Sequence, residues 1–273
     1  MHRDSGRMLA IVIALDLVAA PLAKAQAALR PAPVQRDTTV HRLALDPTHI
    51  QAATFTYRVA LTRDTVTSPI GDQRFVVTLL DYAGTPALML ARDGMEGVSA
   101  TSDSLIVRRS DLRALHWTVV HGLARVAAEF TADSIFGAMS SPLGKQNVVM
   151  ANPPDVLVNA MDVDAVLASL PLANGWRDSA SVLVVDAGGA ASAPATLAVE
   201  GEERVTVPAG DFDCWIVSLE TERGSERVWV TKQGQIVVRA EQVLPDLAGA
   251  VITRVLVQSD TPALMPASAK LPH

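Results

Sequence analysis

Cysteine is almost missing: Cys214 is the only one in 273 residues. A lone thiol cannot close an internal disulfide, so the fold must stand on its hydrophobic core. Nor can it build a Cys-based metal site without partners. Aromatic residues reach only 4% and charged residues 19%. Hydrophobic residues make up 49%, which excludes a wholly disordered chain. The acidic excess is small, 23 − 29 = −6, and the basic residues are scattered, so no electrostatic footprint for nucleic acid exists. No apolar run reaches the ~20 residues that a membrane-spanning helix needs. Also missing are Gly-x-Ser-x-Gly, a Walker loop, His-Glu-x-x-His and Cys-x-x-Cys. The glycine-rich "DAGGAAS" (186–192) is followed by no helix at phosphate-loop spacing. No catalytic residue, metal ligand or cofactor is therefore assigned, and the chain is read as non-enzymatic.

What is present begins with an export pattern. Arg3 and Arg7 precede the apolar "MLAIVIALDLVAAPLA" (8–23), and "AKAQA" (23–27) supplies small residues for a signal peptidase. Asp16 inside the run argues against a retained anchor, because a charge at mid-membrane costs ~3 kcal/mol. Residues 1–27 are expected to be a cleaved signal peptide, which implies a periplasmic or secreted protein. Residues 28–50, with "RPAPVQRDTT" (30–39), read as a flexible leader, 51–260 as one β-rich domain and 261–273 as a loose tail.

From residue 53 short β-type runs follow one another: 53–62, 74–82, 85–93, 103–109, 114–122 and 124–133. Turn residues such as Ala83-Gly84 and His121-Gly122 separate them. Joins this short mean antiparallel hairpins. After the middle of the chain, runs at 180–187, 196–207, 211–222, 226–232, 235–243 and 249–258 resume, with a flexible join expected at 188–195. Between them, "NPPDVLVNAMDVDAVLASLPLANG" (152–175) reads as helix. Asn152 can cap it, and Val156, Ala160, Val163, Leu167 and Leu170 share one face. Asp162 can instead cap a second short helix over 163–170. Several strands are apolar on both parities, so both of their faces must avoid water. The expected fold is mainly β with minor α: eleven to thirteen strands in a curved, unclosed antiparallel sheet, a half-barrel with one or two short helices on the concave face. A sandwich also satisfies the two-faced strands.

In a strand, Cys214 lies between Phe212 and Ile216 on one face, so a buried, inert thiol is expected. Pro208-Ala209-Gly210 reads as a backbone device, with Pro fixing φ and Gly taking a conformation other residues avoid. His116 and His121, five apart on a strand, face opposite sides and cannot share an ion without a bulge, so ordinary solvent or turn histidines are expected. "RRSDLR" (108–113) reads as a solvated turn in which Asp111 pairs with an arginine; the alternative is contact with an anionic head group. Trp215 and Trp229 are expected across from one another on neighbouring strands, as a core pair or as lining of an apolar pocket. With Trp117, Leu167 and Leu170 they form the candidate ligand-binding set.

"EERVTVPAGDFDCWIV", with "LASLPLANGW" (167–176), "ERVWVTKQGQIVVRAE" and "SDSLIVRRSDLRALH" (102–116), resembles an exported family of unknown function. Its pattern is Val-x-Val-Pro-Ala-Gly-x-Phe-x-Cys/Ala-Trp/Tyr-x-Val, and the likeness covers about residues 70–245. The resemblance implies a fold like that of the periplasmic lipoprotein carriers of the LolA/LolB type, whose curved sheets hold acyl chains against helical plugs. Few aromatics and few helices set this chain apart from them. The resulting expectation is a non-catalytic protein binding a lipid, an acyl chain or a hydrophobic partner segment. Its partners would be lipid, a lipidated protein or an envelope protein, and not nucleic acid. The alternatives are a structural or accessory envelope protein whose concave face is filled by its own side chains, and a hydrolase with dispersed catalytic residues.

Overall fold

The structure, a computed structural model, describes residues 43–96, 99–142, 144–152, 156–158, 161–186, 189–222 and 224–261. The expected signal peptide, most of the leader, and the tail beyond Thr261 lie outside them.

Alternation of large apolar and polar side chains, punctuated by tight turns, produces one 15-stranded sheet. The first wing is a meander: β1 (Ala53–Arg63), β2 (Val66–Tyr82), β3 (Thr85–Glu96), β4 (Ser99–Arg108), β5 (Ala114–His121), β6 (Ala124–Phe130), β7 (Ser134–Ser141) and β8 (Gly144–Ala151). The second contains β9 (Val156–Val158), helix α1 (Val163–Ser169), β10 (Arg177–Asp186), β11 (Gly189–Val207), β12 (Gly210–Thr221), β13 (Gly224–Thr231), β14 (Val237–Leu244) and β15 (Ala250–Ser259). Chain neighbours pair as antiparallel hairpins, and β1 pairs with β15 to join the wings at the centre of the sheet. β9 and β10 run parallel, with α1 in the crossover between them. The far ends approach one another, β8 coming against β11 and β9 against β5, but β8 and β9 do not pair. The sheet is strongly curved and unclosed, as expected.

The core fills its concave side. Leu88, Leu90, Leu105, Val107 and Ile135 from the first wing meet Val217, Val228, Val230 and Leu197 from the second, all essentially without exposure. Leu157, Val158, Met161, Val166, Leu167 and Leu170 plug the space between.

Several expectations need correction. The helix is much shorter than 152–175. Val156–Val158 is a strand, and among the described residues of this stretch only Val163–Ser169 is α-helical, close to the shorter alternative. Asp162 does not cap that helix with its side chain; one carboxylate oxygen accepts from the Val158 amide at 2.9 Å. The expected join at 188–195 belongs to β11 from Gly189 onward, where Ala195 pairs with Thr221 and holds a composition of poor β propensity in the sheet. β7 and β8 were not anticipated at all. The expected pairing of Trp215 with Trp229 fails by one residue. Thr221 opposes Gly224 across a two-residue turn, so Trp215 faces Val230 and Trp229 faces Ile216. A slip of one places the two indoles on opposite faces.

Candidate functional site

At one end of the concave face the core does not close, leaving a cleft of about 330 Å³. Its sheet wall comes from alternate residues of β1, Ala53, Phe55 and Tyr57, and from their cross-strand neighbours Phe75 and Val77 on β2. The rings of Phe55 and Phe75 lie 6.3 Å apart, and those of Phe55 and Tyr57 6.4 Å apart, an aromatic floor with tilted rings. The opposite wall is α1, which presents Asp164, Ala165 and Ala168. Two alanines here leave space that a side chain the size of Leu167, on the other side of the same helix, would fill. Ile236 and Val237 close the back, and His49, Gln51, Ala52 and Gly234 form an exposed rim.

Polar contacts hold α1 in place. Arg254 on β15 forms a bidentate pair with Asp164, at 2.8 and 2.7 Å, with side-chain exposures of 13% and 9%. The guanidinium also sits 4.7 Å from the Tyr57 ring centre. Burial works against its charge, but Asp164, with Tyr57 and Glu226, more than offsets this, so its pKa is raised and it stays cationic. Tyr57 Oη donates to the Val237 carbonyl at 3.0 Å, and burial pushes its phenol well above the ordinary range. His49 Nε2 donates to the Ala168 carbonyl at 2.7 Å, and the Asp46 amide donates to the Ser169 carbonyl at 2.8 Å. Burial also raises the Glu226 carboxyl to about 7, with Arg254 pulling the other way.

None of the five expected ligand-binding residues lines this cleft. Leu167 and Leu170 are core, on the filled side of α1. Trp117 is buried on the inner wall and donates Nε1–H to Asp103 at 2.9 Å, while Arg92 holds the other Asp103 oxygen at 2.7 Å. Trp229, 4% exposed, donates to Glu203 at 2.8 Å with Arg239 over its ring. Trp215 is half-buried under Lys232, whose Nζ lies 4.2 Å from the ring centre. Sequence reasoning missed Tyr57, Ala165, Ala168 and the Arg254–Asp164 pair. Two signals were readable: an arginine inside the largely apolar "VITRVLV", and two alanines among larger apolar residues in the helix.

The other motifs are structural. Cys214 has no exposure, and burial, reinforced by Asp213 and Glu203, pushes its thiol up to about 12. Val207 opposes Gly210 across the Pro208-Ala209 turn, and the φ of +139° at Gly210 is one that a side chain resists. The Ala209 amide donates to the Leu256 carbonyl at 3.2 Å, tying the hairpin tip to β15. His116 Nδ1 lies 2.7 Å from Glu129 and is half-buried, so it is an internally paired residue and not a solvent histidine. Arg108 clasps Asp111 at 2.8 and 2.9 Å in the basic turn.

A family model described as a protein of unknown function, DUF3108, matches residues 95–253, a span that contains the Pro-Ala-Gly hairpin and α1. No curated protein matches. Among solved structures, the chain is similar to a β-barrel-like protein of the DUF1849 domain of unknown function from Brucella abortus, at 10% identity and a TM-score of 0.47, covering 77% of this chain and 98% of that one. It is also similar to the hypothetical lipoprotein YmcC from Escherichia coli, at 14% identity and a TM-score of 0.35 over 77% and 89% of the two chains. An exported protein with a YmcC-like fold from Bacteroides fragilis matches at 14% identity and a TM-score of 0.33 over 77% and 95%.

Proposed function

We propose that this chain, which belongs to the DUF3108 family of proteins of unknown function, is an exported, non-catalytic binding protein. It takes an apolar ligand, a lipid or acyl chain or a hydrophobic partner segment, in the cleft between α1 and the aromatic floor. The observation that carries this reading is the cleft itself. It is apolar, has a volume of about 330 Å³ and an exposed rim, and is set in a concave face that is otherwise filled. Clefts that bind small molecules begin near ~300 Å³, are mostly apolar, and carry a few fixed polar groups. The size suits one chain or one side-chain cluster better than a two-chain lipid. The sequence pattern of residues 1–27 supports export, and kinship with periplasmic lipoprotein carriers is part of the same reading. The positive, partly exposed setting that a nucleophilic cysteine needs is absent at Cys214, whose thiol is buried and stays protonated.

Titration with the fluorescent apolar probe N-phenyl-1-naphthylamine tests this. The wild type is expected to bind and the Ala165→Leu/Ala168→Leu double variant to lose binding at least tenfold while keeping its fold. Equal binding by both proteins would exclude the cleft. A second reading, an accessory envelope protein without a small ligand, draws on the near-complete filling of the rest of the concave face by Leu157, Met161, Val166, Leu167 and Leu170. It predicts no probe binding by either protein.

A further inference from the structure

The cleft is apolar along its length and polar at its inner end. β1 carries the sheet wall inward from Ala53, beside the exposed Ala52, through Phe55 to Tyr57, which is 2% exposed. Four residues of strand span ~13 Å. At the Tyr57 end α1 presents Asp164, the only carboxylate among the described residues that line the cleft. Arg254 fixes this placement, because its guanidinium lies over the Tyr57 ring and holds both Asp164 oxygens. Each oxygen accepts one bond from Arg254, and a carboxylate has about four acceptor positions. Asp164 therefore keeps spare acceptors on a side chain that is shielded from water yet lines the cleft.

The surroundings add no free cation. No lysine or arginine lines the cleft among the described residues. Arg254 and Asp164 are neutral as a unit. Glu226, another carboxyl, lies within electrostatic reach of Arg254, and Arg92, within reach of Glu226, is held by Asp103 at 2.7 Å. Three donors on the wall are already committed to backbone carbonyls: Tyr57 Oη to Val237, His49 Nε2 to Ala168 and Gln235 Nε2 to Leu170. Gln51 and the Thr261 hydroxyl lie at the mouth, Thr261 following Asp260, whose amide donates to the Thr54 carbonyl near the start of β1. A full charge brought to the inner end would be buried without a counterion, which is costly. An uncharged O–H group there meets a carboxylate acceptor out of water, one of the stronger kinds of hydrogen bond.

We infer that the ligand is a single-chain amphiphile that enters polar end first and donates an uncharged hydroxyl to Asp164, its chain lying over Phe55 and Phe75 toward the rim. This rests on the cleft being the ligand site proposed above. Asp164 then selects the ligand, and Arg254 positions that carboxylate and offsets its charge.

Calorimetric titration with three ten-carbon compounds tests this: 1-decanol, its methyl ether, which is uncharged but has no O–H, and ionised decanoate. Each is titrated into the wild type and into Asp164→Leu/Arg254→Met, whose folding is checked by circular dichroism. The wild type is expected to bind decanol about tenfold more tightly than the ether, and more tightly than decanoate. The double variant is expected to bind decanol and the ether alike; if it does not fold, the wild-type comparison decides alone. Ether or decanoate binding to the wild type as tightly as decanol would overturn the inference and leave the ligand site standing. A preference for decanol that survives in the double variant would put the polar contact at the mouth and also overturn it. No binding of any of the three compounds by the wild type would sink the ligand-site reading, and the inference with it.

Discussion

The two sides of α1 are built from the same seven residues and end in opposite states. One side carries Val163, Val166 and Leu167, continues into Leu170, and is packed shut against the sheet. The other carries Ala165 and Ala168 and leaves an opening of about 330 Å³ over Phe55, Tyr57 and Phe75. Apart from Asp164, which Arg254 pairs on the open side, both sides are apolar, so hydrophobicity does not separate them; side-chain volume does. A helix that were only a plug would be large all round. This one is large where it supports the fold and small where it faces the rim, and a buried ion pair holds it at that distance from the floor.

The contrast can be broken most severely at the tether. Arg254→Met removes the partner of a carboxylate that is 9% exposed, and an unpaired buried charge of this kind costs ~3–5 kcal/mol. Thermal or urea unfolding should record that loss, and Asp164→Leu added to Arg254→Met should recover much of it. If the single variant unfolds like the wild type, the pair does not hold the helix.

Next in size is the filled side. Leu167→Ala should cost ~2–5 kcal/mol by leaving a cavity, whereas Ala168→Leu on the open side should change stability by less than ~1 kcal/mol because room already exists for it. Paired urea titrations of these two variants measure the contrast directly. Similar losses at both positions would show that the helix is packed alike all round.

A pH effect follows from the turn that leads into α1. Asp162 is 1% exposed; burial raises its carboxyl to about 7, against the hydrogen bond from the Val158 amide, and its second oxygen has no partner among the described residues. The unfolded chain releases this proton near pH 4, the folded chain only near pH 7. The contribution of Asp162 to stability is therefore full below about pH 4 and is lost progressively as pH rises to about 7, by a few kcal/mol in order of magnitude. Burial moves Glu226 in the same direction. Melting curves from pH 4 to 8 should show the decline, and Asp162→Asn should flatten much of it. An unchanged slope in that variant would assign the effect elsewhere.

Much of the fold was legible. Alternation in "ATFTYRVALT" and the turn residues around the second-wing hairpins place β1 to β6 and β12 to β15 to within a few residues, apart from the first half of β2. β7, "SIFGAMSS", and β8, "GKQNVVMA", escaped because small and polar residues carry little β signal; pairing with β6 makes them strands. The same holds for the alanine-rich start of β11. The helix was over-read because Val156 and Val163 share helical spacing, although the first of them pairs with β10. The indole pair failed on a single residue of hairpin register, which composition does not encode. The cleft was the least legible part. Tyr57, Asp164 and Arg254 are about a hundred residues apart in sequence, and only the meeting of β1 with β15 brings them together. Large aromatic residues drew attention as ligand contacts, yet Trp117 and Trp229 are spent on hydrogen bonds to Asp103 and Glu203, and the opening is made by alanines.

The most direct test is native mass spectrometry, with lipid extraction, on protein purified from the exported fraction, wild type beside Ala165→Leu/Ala168→Leu. The account predicts an apolar molecule bound to the wild type and absent from the filled variant, with both folded. A clean unliganded mass for the wild type, or the same adduct on both proteins, would contradict it.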